Sequence, residues 1–159
     1  MHPKPKVVIS KCLGFGKCRY NSQIIEDKFS NDLKSFVKFI PVCPELEIGL
    51  GSPRPPVRIA EIESKKVMHQ PETGKKLTKM MTDFSNRFLS AQSEIDGFIL
   101  KNNSPSCGTG GVKIYKGLDK SSGTKRGNGF FGGIVMNRLI GMPVENEDHL
   151  RNPDVMDHF

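Results

Sequence analysis

Apolar residues fall along this chain in two rhythms. Short unbroken runs at Val7-Val8-Ile9 and Phe98-Ile99-Leu100 have the character of strands buried in a parallel sheet, and the mostly apolar stretch Phe36 to Val42 reads as a further strand between them. Elsewhere apolar positions return every third or fourth residue. Ile25, Phe29 and Leu33, with Glu26, Asp27, Lys28 and Asp32 between them, predict an amphipathic helix over 22–36. Leu77, Met80, Met81, Phe84 and Phe88 predict a longer helix over 75–92, its stripe facing the sheet. A third helix is expected over 130–139, where Gly132 and Gly133 permit close approach to the sheet and Gly141 caps the end. Lys66 to His69 reads as a modest strand or hairpin arm, and Met142-Pro143-Val144 as a final short strand.

Two stretches follow neither rhythm. Residues 46–56 are dominated by glycine and proline and predict a rigid irregular loop carrying Arg54, with Arg58 just beyond. Residues 108–129 are glycine-rich with few large apolar side chains, so a mobile loop is expected there. The alternation of strand and helix predicts an α/β fold: a mostly parallel sheet flanked by helices in a Rossmann-like three-layer arrangement with right-handed crossovers. At 159 residues the chain suits one domain spanning 1–159, with 146–159 as a loosely packed tail or terminal helical turn.

Composition narrows the function classes. The start, Met1-His2-Pro3-Lys4-Pro5-Lys6, lacks the apolar stretch of a secretory signal, and no run approaches the ~20 apolar residues of a membrane span. The expectation is a cytoplasmic, reducing setting without membrane association. Net charge is +7, which draws anions such as nucleotides and RNA but also serves solubility. With no Trp and two Tyr, RNA binding is possible but not favoured. Gly14-Phe15-Gly16 after the first strand lacks the third glycine and the acidic strand end of a dinucleotide fingerprint.

The chemistry gathers on four cysteines, Cys12, Cys18, Cys43 and Cys107. Three of them lie just past an apolar strand-like run. Strands of an open α/β sheet deliver their carboxyl ends to a common crevice, so thiols far apart in sequence can converge there. In a reducing setting metal ligation or thiol catalysis is favoured over disulfides. The spacing excludes a zinc ribbon, while a scattered zinc site and an iron–sulfur site stay open. Cys18 can be a buried hydrophobe, a reactive thiol or a fourth ligand; as a ligand it would leave no open iron and make the protein an electron carrier.

Cys12-Leu13-Gly14 with Cys18-Arg19-Tyr20, Pro41-Val42-Cys43-Pro44-Glu45, Pro53-Arg54-Pro55-Pro56, and Ser104-Pro105-Ser106-Cys107-Gly108 with Ile114-Tyr115 together resemble the ordered signature of the thiouracil desulfidase family, over about residues 7–145. The resemblance implies a [4Fe-4S] cluster held by Cys12, Cys43 and Cys107, with one open iron for a thiocarbonyl sulfur. It implies Glu45 and Ser104 as catalytic residues, with Ser106 as the alternative serine. The implied reaction is non-redox removal of sulfur from 2-thiouracil or a 4-thiouridine derivative, as base or nucleotide, with release of sulfide. Arg54 and Ser106 are expected on the substrate, and Arg19 and Lys101 can contact an anionic one. The family commonly follows Cys-Arg-Tyr with Asp-Gly, where this chain has Asn21-Ser22.

Overall fold

The computed structural model describes residues 2–25, 28–119 and 123–159. The first apolar run forms β1 (Lys6–Ser10) and the second β2 (Lys38–Val42), joined through a short helix α1 (Lys28–Leu33). With β6 (Gly97–Ile99) and β9 (Val144–Glu145) they make a wholly parallel four-stranded sheet in the order β2-β1-β6-β9. Val8, Ile9, Phe98 and Ile99 are fully buried, as unbroken apolar strands covered on both faces must be.

Helix α3 (Thr78–Ala91) lies where its stripe predicts, burying Met81, Phe84 and Leu89. It starts three residues later than expected. Lys75–Lys76 forms instead a short strand β5, because Leu77 donates to the Met68 carbonyl at 2.7 Å and the Thr78 hydroxyl accepts the Met68 N–H at 2.8 Å. Met80, placed on the apolar stripe by spacing, is exposed. Helix α4 (Phe130–Arg138) packs on α3 through Phe131, whose ring meets Phe84 and Phe88 at centroid distances of 6.2 and 5.7 Å. The helix expected over 22–36 is confined to α1, with 26–27 outside the described residues. Ile25 is pinned to the Cys12 carbonyl at 2.8 Å, yet still packs with Phe29 and Leu33 in one apolar cluster.

A second sheet was not expected. β3 (Arg58–Ile62), β4 (Lys65–Gln70), β7 (Val112–Tyr115) and β8 (Thr124–Gly127) join β5 in the order β5-β4-β3-β7-β8, with β3 and β7 parallel and the other pairs antiparallel. The hairpin arm at 66–69 is therefore β4. Much of the glycine-rich stretch read as a mobile loop is paired strand, with Val112 and Ile114 buried against Ile59 and Phe130. After β9 the chain forms a 3-10 turn (His149–Arg151) and α5 (Pro153–His158), and Leu150 is inserted among the residues that bury Ile9 and Ile99.

Candidate active site

Three strands of the parallel sheet end where the cysteines begin. β1 stops at Ser10 and turns through Cys12; β2 stops at Val42, followed by Cys43; β6 runs through Leu100 into the loop that carries Cys107. The chain leaves β1 for β2 on one side and β6 lies on its other side, so Cys12 and Cys107 flank the switch point where open α/β sheets bind their ligands. Pro44 ends the ladder after β2 and opens a one-turn helix α2 (Pro44–Glu47), which turns Glu45 inward.

A cavity of about 400 Å³ occupies this edge, and Cys12, Cys18, Cys43 and Cys107 all line it with Glu45 and Arg54. That size falls within the ~300–1,000 Å³ typical of small-ligand sites. All four cysteines are free thiols, and only Cys43 is more than marginally exposed. Cys18 interacts with both Cys12 and Cys43, and Cys43 Sγ donates to the Cys18 carbonyl at 3.7 Å. The Cys12 hydrogen bond, with burial, pushes the Cys18 thiol up to about 11. Its hydrogen bond with Cys18 and burial raise Cys43 well above the ordinary thiol range, and burial pushes Cys107 up to about 12. Such thiols stay neutral until a strong cation compensates the thiolate charge.

Beside the thiols lies a buried polar chain. Arg54 Nε donates to Glu45 Oε1 at 3.1 Å, and Arg54 Nη1 donates to the carbonyls of Cys18 (2.6 Å) and Gly51 (2.7 Å). Arg54, expected on the substrate, is thus buried and occupied in holding Glu45 to the Cys18 loop. Ser106 Oγ donates to the other carboxylate oxygen, Oε2, at 2.8 Å. Because that bond uses the only hydroxyl proton of Ser106, the 3.1 Å contact between the two serines runs from Ser104 to Ser106. Ser104 Oγ in turn accepts the backbone N–H groups of Ser106 (3.2 Å) and Cys107 (3.0 Å), fixing the turn that presents Cys107. Of the two serines, Ser106 touches Glu45, and Ser104 reaches it only through Ser106.

Helix α4 locks this loop from behind. The N–H groups of Phe130 and Gly132 donate to the carbonyls of Pro105 (3.1 Å) and Ser106 (2.9 Å). A Cβ at Gly132 would lie 2.6 Å from the Cys107 carbonyl oxygen and closer still to that of Gly108, so this glycine serves contact with the cysteine loop rather than with the sheet. Gly133 faces Asn128 instead.

Spacing alone did not single out Ser10 or Glu147. The buried Ser10 hydroxyl accepts the Lys101 N–H at 2.8 Å and reaches the Cys107 thiol. Glu147 is buried and receives Lys101 Nζ (2.9 Å) and Asn102 N (2.7 Å), which ties the Cys107 loop to the chain after β9. Their one signal in the sequence is polarity next to apolar strand ends.

Among the described residues no three Cys, His, Asp or Glu side chains converge at the spacing of a single metal ion. The thiols instead stand around a volume, with no histidine on its lining. Four soft thiol donors around a cavity, whose one carboxylate is already held by Arg54 and Ser106, fit a multinuclear iron–sulfur group better than a lone hard ion.

Fold and site together define an α/β protein with a thiol-lined cavity at the switch point of its parallel sheet and a clamped carboxylate at its wall. The chain belongs to the 2-thiouracil desulfurase family, whose sequence model matches residues 7–147. It is 32% identical over 118 residues to YbbK, an uncharacterized protein of Bacillus subtilis (strain 168), covering 70% of this chain and 77% of that one. Its fold is similar to that of TudS, described as a [4Fe-4S]-dependent thiouracil desulfidase, with a TM-score of 0.70 and 27% identity over 98% of this chain and 97% of TudS.

Proposed function

We propose that this protein is an iron–sulfur-dependent desulfidase that converts a thiolated pyrimidine to its oxo form and releases sulfide. The observation that carries this reading is the convergence of Cys12, Cys43 and Cys107 with the Arg54–Glu45–Ser106 chain on one cavity. Family membership supports thiouracil as the substrate, and the likeness to a [4Fe-4S]-dependent desulfidase supports the cofactor. Cys12, Cys43 and Cys107 would hold the cluster. When bound, such a cluster supplies an open iron that is Lewis-acidic and thiophilic toward the thiocarbonyl sulfur.

The rest of the work falls to the chain. Glu45 accepts a proton from the attacking water, the water oxygen bonds to the thiocarbonyl carbon, and the carbon–sulfur bond breaks. Thiocarbonyl plus water gives carbonyl plus hydrogen sulfide, so no external electrons are required. Arg54 holds Glu45 at one oxygen, and Ser106, supported by Ser104, holds the other. The carboxylate can then meet water with its remaining lone pairs without rotating away. Lys11, Arg19 and Lys101 line the cavity and give it a positive bias, which suits a nucleotide phosphate or the developing hydrosulfide. A cofactor of this kind belongs in a reducing setting, and we place the protein in the cytoplasm; no described helix is long and apolar enough to cross a membrane. We treat 1–159 as one catalytic unit.

Anaerobic reconstitution with iron and sulfide tests the reading. The expected product is a brown protein with about four irons and four sulfides that converts 2-thiouracil to uracil with stoichiometric sulfide. A loaded protein that releases sulfide from no thiopyrimidine base or nucleotide would overturn catalysis. Retention of full iron content by Cys18→Ala separates three-cysteine from four-cysteine ligation.

A further inference from the structure

The second sheet carries its charge in an uneven way. Register places Arg58, His69, Lys76, Lys113 and Arg126 on one face: Arg58 pairs with His69, His69 with Lys76, and Lys113 with Arg126. Lys65, opposite Ile62, and Tyr115, opposite Ala60, fall on the same face. The opposite face packs Ile59, Met68 and Ile114 into the core, and it is there that Glu61 stands, paired with Lys125. The outer face thus holds five fixed cations, and no strand residue on it is acidic. Among the described residues none of the five has a carboxylate partner. Their crowding is felt locally: burial and the Arg58 charge together lower the pKa of His69.

The strands that carry this face begin beside the cavity, although none of the five cations lines it. Val57, which lines it, immediately precedes Arg58 in β3, and Arg126 Nη1 donates to the Gly111 carbonyl at 3.1 Å, where the chain leaves the Cys107 loop for β7. Arg58 also lies over the Tyr115 ring, 5.1 Å from its centroid, so the one aromatic on the face is already covered by a guanidinium.

We infer that this face docks the phosphate backbone of RNA. An acidic protein would need an apolar, aromatic centre to anchor it, and protein interfaces are depleted of lysine at their cores. Here the central row is Val67, Ala60 and Tyr115, of which Ala60 is fully buried and the Tyr115 ring is already covered by Arg58, so little apolar surface is left open to anchor one. Evenly spread positive charge with no stacking platform suits phosphates, which position a nucleic acid without reading its bases. The choice of RNA over other polyanions rests on the pyrimidine reading of the adjoining cavity, since uracil is an RNA base. The binding itself does not need that chemistry.

The test is fluorescence anisotropy of the intact protein with a labelled single-stranded RNA of about twenty nucleotides, titrated from about 50 to about 200 mM KCl. At ~0.7 per phosphate neutralised, five cations give a log–log salt slope near −3.5 and about a hundredfold loss of affinity over that range. Lys76→Gln/Lys113→Gln should reduce the slope by about 1.4, while Lys34→Gln/Lys79→Gln, in the turn after α1 and on α3, should leave it unchanged. Equal weakening by both pairs would reduce the effect to net charge and overturn the assignment. Salt-insensitive binding, or a polyglutamate chain binding as tightly as the RNA, would overturn it too. Sulfide release from free thiouracil is measured on the same variants and should not change; its absence in every sample would strike the desulfidase reading and leave the RNA result standing.

Discussion

The parallel sheet and the mixed sheet differ in what their strands bury. β1 and β6 are apolar on both faces, covered by helices, and end at one edge in thiols and serines; β3, β4 and β7 bury Ile59, Met68, Val112 and Ile114 on one face, the edge strand β8 stays exposed, and lysine and arginine turn outward. The first sheet therefore has a single crevice where buried, dehydrated groups can be brought together. The second has a broad wet face where charge stays hydrated and acts at a distance. Soft, directional chemistry belongs to the crevice and long-range attraction to the face, because low dielectric strengthens close contacts while exposed cations are limited by screening.

The comparison breaks hardest at the crevice. Cys43→Ser should bring both iron content and thiouracil turnover to background, measured as iron per protein and as sulfide released. If both survive, the sheet edge is not the site. Glu45→Gln comes next: turnover should fall by ~10²- to 10⁴-fold, equivalent to about 3–5 kcal/mol of barrier, with iron content unchanged. Full activity in that variant would remove Glu45 as the base.

Gly132→Ala tests the support behind the crevice. Its new methyl would press on the Cys107 carbonyl, so urea unfolding should report a loss of about 1–3 kcal/mol, with lower iron retention in parallel. An unchanged midpoint would mean that the cysteine loop is free to yield. The smallest effect belongs to the outer face: Lys76→Gln/Lys113→Gln should change stability by no more than about 0.5 kcal/mol, since exposed single charges contribute little to folding. A larger loss would show that these lysines hold the sheet together rather than await a partner.

How much was legible in advance follows the same division. β1 and β6 could be read because a strand covered on both faces needs an unbroken apolar run, the edge strand β2 because a mostly apolar run ends at Cys43-Pro44, and α3 because one buried face imposes the 3.6 period. β3, β7 and β8 could not. They are short, their lysines and glycines weaken any alternation, and β3 finds β7 across an intervening hairpin, a helix and β6. Pairing between distant segments leaves almost no trace in either one alone.

The same holds within the site. The cysteines, Glu45 and the Ser104–Ser106 motif stood out by residue type and by position after strand ends, and sequence fixed which chemistry was available. It did not decide that Arg54 clamps Glu45, that Ser106 rather than Ser104 donates to that carboxylate, or that Cys18 interacts with two other thiols. Glu45 and Ser106 are 61 residues apart, and a hydrogen bond is won or lost over a few tenths of an ångström. Local sequence specifies the groups and the elements that carry them; only the packing of those elements sets distances that fine.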